Sequence, residues 1–111
     1  MKSSVNDALK KLSGNAGALF FKVLEHGSML VEIYRPVDKD EQTPHLQDEL
    51  YVVICGTGEF LNAGARSPFQ AGDIFFVPAG IEHRFENFGN DFATWVIFYG
   101  PKGGEVLSSK S

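Results

Sequence analysis

Apolar positions recur along this chain at two periods. Near the N-terminus Val5, Ala8, Leu9 and Leu12 fall three and four residues apart, the spacing of one helix face. Ser4 stands three residues before Asp7 and offers a capping box, Lys10 and Lys11 suit the negative C-terminal end, and Gly14 supplies a stop. The pattern predicts a short helix over residues 4–12, lying as a clasp on a sheet. From Leu19 onward the chain turns to short β-branched and aromatic runs: Leu19 to Leu24, Met29 to Tyr34, Glu49 to Cys55, Glu59 to Asn62, Ile74 to Val77, a run opening at His83, and Phe92 to Tyr99. Turn residues separate them. Glu25-His26-Gly27-Ser28 reads as a hairpin turn with an exposed His26, Asp38 to Gln42 as a charged, solvated loop, and Ala63 to Ala71 as another loop. Pro78-Ala79-Gly80 reads as a tight corner, because proline cannot donate to a ladder and glycine accepts a positive φ.

Two of the runs are apolar on both faces. Glu49, Tyr51, Val53 and Cys55 alternate with Leu50, Val52 and Ile54, and Phe92, Thr94, Val96 and Phe98 alternate with Ala93, Trp95, Ile97 and Tyr99. Such a strand lies between two layers or at a subunit contact, so a homodimer is expected, with Phe92 to Tyr99 and Leu19 to Leu24 as candidate contacts. Trp95 and Tyr99 read as core or interface. Seven or eight short strands punctuated by glycine and proline argue for an all-β sandwich or barrel.

Composition narrows the class. The chain has 111 residues, 43% of them hydrophobic and ten of them phenylalanine, which suits one domain over 1–111 with its core over about 19–100. Residues 105–111 are expected to fray. Cys55 is the one cysteine, so no intrachain disulfide forms. It reads as a small buried hydrophobe beside a turn glycine, although it shares the strand face of Glu49. The net charge is −4 with scattered basic residues, which argues against nucleic acid and acidic membrane as partners. Neither a signal-like apolar run nor a stretch of spanning length is present, and a cytoplasmic location is expected.

The candidate chemistry lies in two places. Strand alternation puts His83, Phe85 and Asn87 on one face and Arg84 and Glu86 on the other, where two charges belong in water. A histidine turned inward beside a phenyl ring needs partners for its ring nitrogens, and a metal ion is one such partner. Glu49 is a carboxylate on a strand flanked by core, and it too needs a rim, a hydrogen bond, a proton or a cation.

The spacing G-x5-P-x-G-x2-H-x3-N is filled by Gly72, Pro78, Gly80, His83 and Asn87, and it resembles the second motif of the cupin superfamily. Upstream, His45, Glu49 and Gly56 match part of the first motif, with Thr43 at the place of that motif's first histidine. Fifteen residues separate Gly56 from Gly72, as in the family's small microbial members. The resemblance implies a jelly-roll-like β-barrel with His45, Glu49 and His83 facing the lumen as metal ligands. Gln47, between His45 and Glu49, is a candidate weak fourth oxygen ligand or orienter of a bound water. Three protein donors would leave two or three positions open. Two imidazoles and one carboxylate suit a divalent Fe, Mn, Zn, Ni or Co ion, with Fe(II) favoured; a hydrogen-bonded polar cluster without metal is the other use of the same residues. Cupins include dioxygenases, isomerases, epimerases and decarboxylases. The function expected is therefore a metal-dependent enzyme, of dioxygenase or isomerase type, acting on a small polar organic molecule. The alternative, favoured by the missing histidine, is a non-catalytic small-ligand-binding or sensing module.

Overall fold

In the computed structural model, which describes residues 1–106, the N-terminal periodicity becomes helix α1 (Val5–Ser13). The Ser4 hydroxyl accepts from the Asp7 backbone N–H at 3.0 Å, satisfying one of the orphan donors of the first turn. Ala8 and Leu12 are buried on the inward face. Eight strands follow: β1 (Phe20–His26), β2 (Met29–Tyr34), β3 (Asp48–Cys55), β4 (Gly58–Asn62), β5 (Ala65–Phe69), β6 (Ile74–Val77), β7 (His83–Glu86) and β8 (Ala93–Tyr99). Among the described residues no helix is long and apolar enough to cross a membrane.

The strands form two antiparallel sheets, one of five in the order β1-β2-β8-β3-β6 and one of three in the order β5-β4-β7. Register explains how both faces of the larger sheet are apolar. Neighbours across a ladder point to the same side, so Leu30, Phe98, Glu49 and Val77 form one inward row, and Glu32, Val96, Tyr51 and Phe75 the next. These rows meet Phe60, Phe69 and Phe85 of the smaller sheet over a shared aromatic core. The Tyr51 and Phe60 rings lie 4.9 and 4.6 Å from that of Phe85. On the outward side, α1 covers Ile33, with Phe21, Val23, Ile54 and Trp95 packed around it. The two sheets and the helical clasp match the jelly-roll-like barrel expected.

Several local readings change. The hairpin between β1 and β2 turns on Gly27 and Ser28 alone, with His26 paired to Met29, so His26 is an exposed strand end rather than part of the turn. Part of the loop read at Ala63 to Ala71 is strand β5, exposed along most of its length. It is an edge strand, where Pro68 costs no ladder bond. The β4–β5 turn puts Ala63 and Gly64 both at positive φ, as a two-residue hairpin of this hand demands, and alanine gives no sequence signal for it. Asn87 does not continue the inward face of β7. Its φ is +55, which asparagine tolerates, and its side chain turns to Glu59 at 2.6 Å. A register shift after Val53 takes Cys55 off the Glu49 face, and its half-buried thiol donates to the Asp91 carbonyl. Glu105, at the start of the segment expected to fray, is tied down by its N–H, which donates to Asp48 at 2.9 Å; residues 107–111 lie outside those described.

Candidate metal centre

His83 reaches the core because of the corner before it. Gly80 has φ +79, and its N–H donates to the His45 carbonyl at 2.8 Å, so one turn fixes the approach of both histidine-bearing segments. The chain re-enters as β7 with His83 and Phe85 inward and Arg84 outward, where the guanidinium pairs with Glu86 at 2.8 Å. The His83 Nδ1 lies 2.9 Å from the Ile81 carbonyl, which only accepts. The hydrogen therefore sits on Nδ1, and in the neutral ring Nε2 presents a lone pair to the interior.

Glu49 faces that lone pair. It stands on β3, is 1% exposed, and places Oε1 at 2.7 Å from His83 Nε2. Neither of its buried carboxylate oxygens has a hydrogen-bond partner. A lone pair and a buried carboxylate at that separation repel unless a proton or a cation lies with them. His45, half-buried on the segment before β3, completes the group. One nitrogen or oxygen from each of His45, Glu49 and His83 lies within 4.8 Å of the others. The donor types and their spacing fit a first-row divalent ion.

The two imidazoles are tuned apart. Burial lowers the pKa of His45, and the His83 charge adds to this while Glu49 opposes it. Burial also acts to depress His83, but the adjoining Glu49 carboxylate and the Ile81 carbonyl outweigh it and hold its pKa above the ordinary value.

Gln47 stays outside the group. The chain bends at residues 46 and 47 before β3 begins, so strand parity does not carry Gln47 inward with Glu49. Its Nε2 donates instead to the Ser28 and Gly100 carbonyls, both at 2.9 Å, and staples two loops. Three other residues occupy the site. The Tyr51 hydroxyl lies 3.0 Å from His83 Nε2 and 2.8 Å from the Gln42 amide oxygen. Burial raises its pKa well above the usual value, and the Glu49 charge adds to that, so the phenol keeps its proton. Gln42 Oε1 is also 3.2 Å from His45 Nε2. Asp40, 6% exposed, accepts from the Tyr34 hydroxyl at 2.7 Å and the Phe85 N–H at 2.9 Å. Tyr51 shares the strand parity of Glu49 and was legible to that extent. Asp40 and Gln42 lie in a charged run whose composition suggests only solvent.

A cavity of about 810 Å³ opens beside His45 and Gln42. Its walls are largely apolar, formed by residues such as Phe20, Leu30, Leu46 and Phe98, with Glu32 set into them from β2. Burial raises the pKa of Glu32, the Glu49 charge adding to this and Lys22 opposing it.

Comparison with known proteins adds a family to this geometry. The sequence profile described as "Cupin domain" matches residues 30–99. An uncharacterised protein of Streptomyces coelicolor is 30% identical over 92 residues, covering 81% of this chain and 87% of its own. The oxalate-binding protein of Thermotoga maritima is 40% identical over a shorter stretch of 42 residues, which is 38% of this chain and 35% of that protein. Among solved structures, a cupin-2 domain containing protein from Shewanella frigidimarina superposes with a TM-score of 0.71 at 18% identity, over 88% of this chain and 94% of that one.

Proposed function

The chain belongs to the cupin family, and from that premise we propose that it is a small metal-dependent enzyme acting on a small organic molecule, with His45, Glu49 and His83 as the protein donors to a divalent ion. One observation carries the reading: both oxygens of Glu49 are buried and without hydrogen-bond partners while a histidine nitrogen faces one of them at 2.7 Å. A buried carboxylate left in that state costs several kcal/mol, on the order of the penalty for an unpaired buried charge, and a cation relieves it. An ion bound there supplies Lewis acidity toward a carbonyl, enol or carboxylate oxygen of the substrate.

The surrounding residues would do the rest. The apolar walls exclude water and hold the carbon skeleton of the substrate. The Tyr51 phenol, protonated and within reach of both His83 and Gln42, is placed to give a proton to an oxygen bound between them. Glu32 stands on the cavity wall as a second acid or base whose raised pKa suits proton transfer nearer neutrality. The cavity is poorly suited to a small dianion such as oxalate. Its carboxylates include Glu32 and Glu41, no arginine is among its lining residues, and Lys39 lies 3.6 Å from Glu41. The chemistry favours a less acidic substrate of isomerase or dioxygenase type. The protein is also proposed to act as a homodimer, on the outward apolar face of its larger sheet.

Elemental analysis of the purified protein, beside turnover assays on a panel of small acids, ketones and sugars with and without added Fe(II), Mn(II) and Zn(II), tests the reading. One equivalent of metal and metal-dependent product formation are expected. Saturable binding with no product would assign a ligand-binding module instead, and loss of neither metal nor turnover in His83→Ala would remove the site.

A further inference from the structure

Gln42 is oriented by its neighbours in a way that fixes which end of its amide faces the site. Its Nε2 donates to Asp40 Oδ2 at 2.8 Å, and its backbone N–H reaches Asp40 Oδ1 at 3.2 Å. Asp40 is itself clamped from two other elements, by the Tyr34 hydroxyl of β2 and the Phe85 N–H of β7. A carboxylate accepts and does not donate, so the amide nitrogen must lie toward Asp40 and the oxygen toward the interior. There Oε1 stands 3.2 Å from His45 Nε2 and 2.8 Å from the Tyr51 hydroxyl, which in turn is 3.0 Å from His83 Nε2. Thr43, at the place where the family's first motif carries a histidine, is exposed.

We infer that Gln42 supplies the fourth protein donor to the ion, its amide oxygen taking the role that Thr43 cannot, with Asp40 as the residue that holds it in place. The inference rests on the metal reading proposed above. An amide oxygen is neutral, as an imidazole nitrogen is, so the exchange leaves the charge of the donor set unchanged at one carboxylate against a divalent ion. It is also a harder donor than imidazole, which shifts the site toward oxygen-preferring ions such as Mn(II) and Fe(II) and away from Cu(II). Tyr51 would then lose Gln42 as its acceptor on metal binding and turn its proton toward the incoming substrate oxygen. The loop from Asp38 to Gln42 becomes part of the metal site, tied to both sheets through one buried carboxylate.

The test compares wild type, Gln42→Leu, Thr43→His and His83→Ala, each first checked by circular dichroism and thermal unfolding, by titration with Co(II) and Mn(II). Gln42→Leu keeps the volume and removes the oxygen. It should weaken affinity by about 10- to 100-fold, the scale of a lost site contact. It should also raise the intensity of the Co(II) visible bands, which grow as coordination number falls; a residue that only packs would leave those bands alone. Thr43→His should not tighten binding, since the position points to solvent and the fourth donor is already in place. Wild-type affinity and an unchanged Co(II) spectrum in Gln42→Leu, with His83→Ala failing to bind, would overturn the role of Gln42 and leave a three-donor site. Wild-type affinity in His83→Ala would overturn the metal reading itself, and this inference with it.

Discussion

Gly80 sits where single-residue conformation and site assembly meet. A Cβ at this position would meet nothing within 4 Å, so the cost of substitution lies in the backbone, held at φ +79. Gly80→Ala should destabilise the protein by about 1–2 kcal/mol through left-handed strain, read from urea unfolding. It should also weaken metal binding, because the Gly80 N–H to His45 carbonyl bond holds the half-buried histidine. The two histidines carry a second expectation, with a definite sign. Metal needs a neutral Nε2 on His83, whose pKa in the metal-free protein stands above the ordinary histidine value of about 6.5. As pH falls through that raised value a proton competes with the ion, and apparent affinity should drop by about tenfold per pH unit for the one proton displaced. His45, with its lowered pKa, adds a second proton only at lower pH and steepens the fall there. Isothermal titration with Mn(II) from pH 8 to 5 checks both stages; a flat profile above about pH 6.5 would contradict the order of the two groups. Glu49 and His83, two of the proposed ligands, were legible in the sequence because each breaks an apolar pattern on a strand, while His45, which precedes β3, was legible through the motif spacing alone. Gln42 and Asp40 were not, because in a run of charged residues nothing distinguishes an aspartate turned inward onto Tyr34 and Phe85 from one left in water.

At the scale of elements, α1 is a cover rather than a part of the site. It lies on the outward face of the larger sheet, and its Leu12, 5% exposed, packs in the cluster with Ile33 and Trp95. Leu12→Ala should cost about 2 kcal/mol, at the low end for a buried leucine because the position lies near the margin of the sheet. Metal affinity should stay within twofold of wild type, since the inward rows of the sheet lie on its other face. A parallel loss of affinity would mean that the two faces communicate through β2 or β8. The helix could be read from its spacing and cap, as could β2, β3 and β8 from their length and composition. β5 could not, because an exposed edge strand presents no apolar alternation, and its residues Arg66, Ser67 and Pro68 carry loop chemistry. Gln47 lies between His45 and Glu49 in sequence, but it precedes β3 at a bend, and its amide is taken by the Ser28 and Gly100 carbonyls.

At the scale of the whole molecule, an apolar surface runs across the outward face of the larger sheet. The outward rows of the larger sheet run Leu24, Val31, Ile97, Leu50, Phe76 and, one step along, Ile33, Trp95, Val52, Ile74. The helix covers the second row at Ile33 and packs on Trp95, but at the far edge Ile74 is 65% and Phe76 45% exposed. The exposed apolar side chains of this face therefore lie toward β6. β8 is interior, hydrogen-bonded on both sides by β2 and β3, and only its outward side chains are free to take part. β6 is one of the sheet's two edge strands, and the apolar row leads to it. A second copy laid on this face would bury the exposed isoleucine and phenylalanine while leaving the proposed inward site untouched, as suits a symmetric pair with two independent sites. Sedimentation at micromolar concentration should give a species of twice the 12.2 kDa chain. Phe76→Glu, placing a charge where the contact would close, should shift it to monomer with metal affinity unchanged. A wild-type monomer would remove the pairing. A dimer that survives both Phe76→Glu and Ile74→Glu would move the contact to the other edge, where Leu19 and Phe20 of the β1 segment remain 39% and 53% exposed beside the cavity mouth, and there assembly and substrate entry would share one surface.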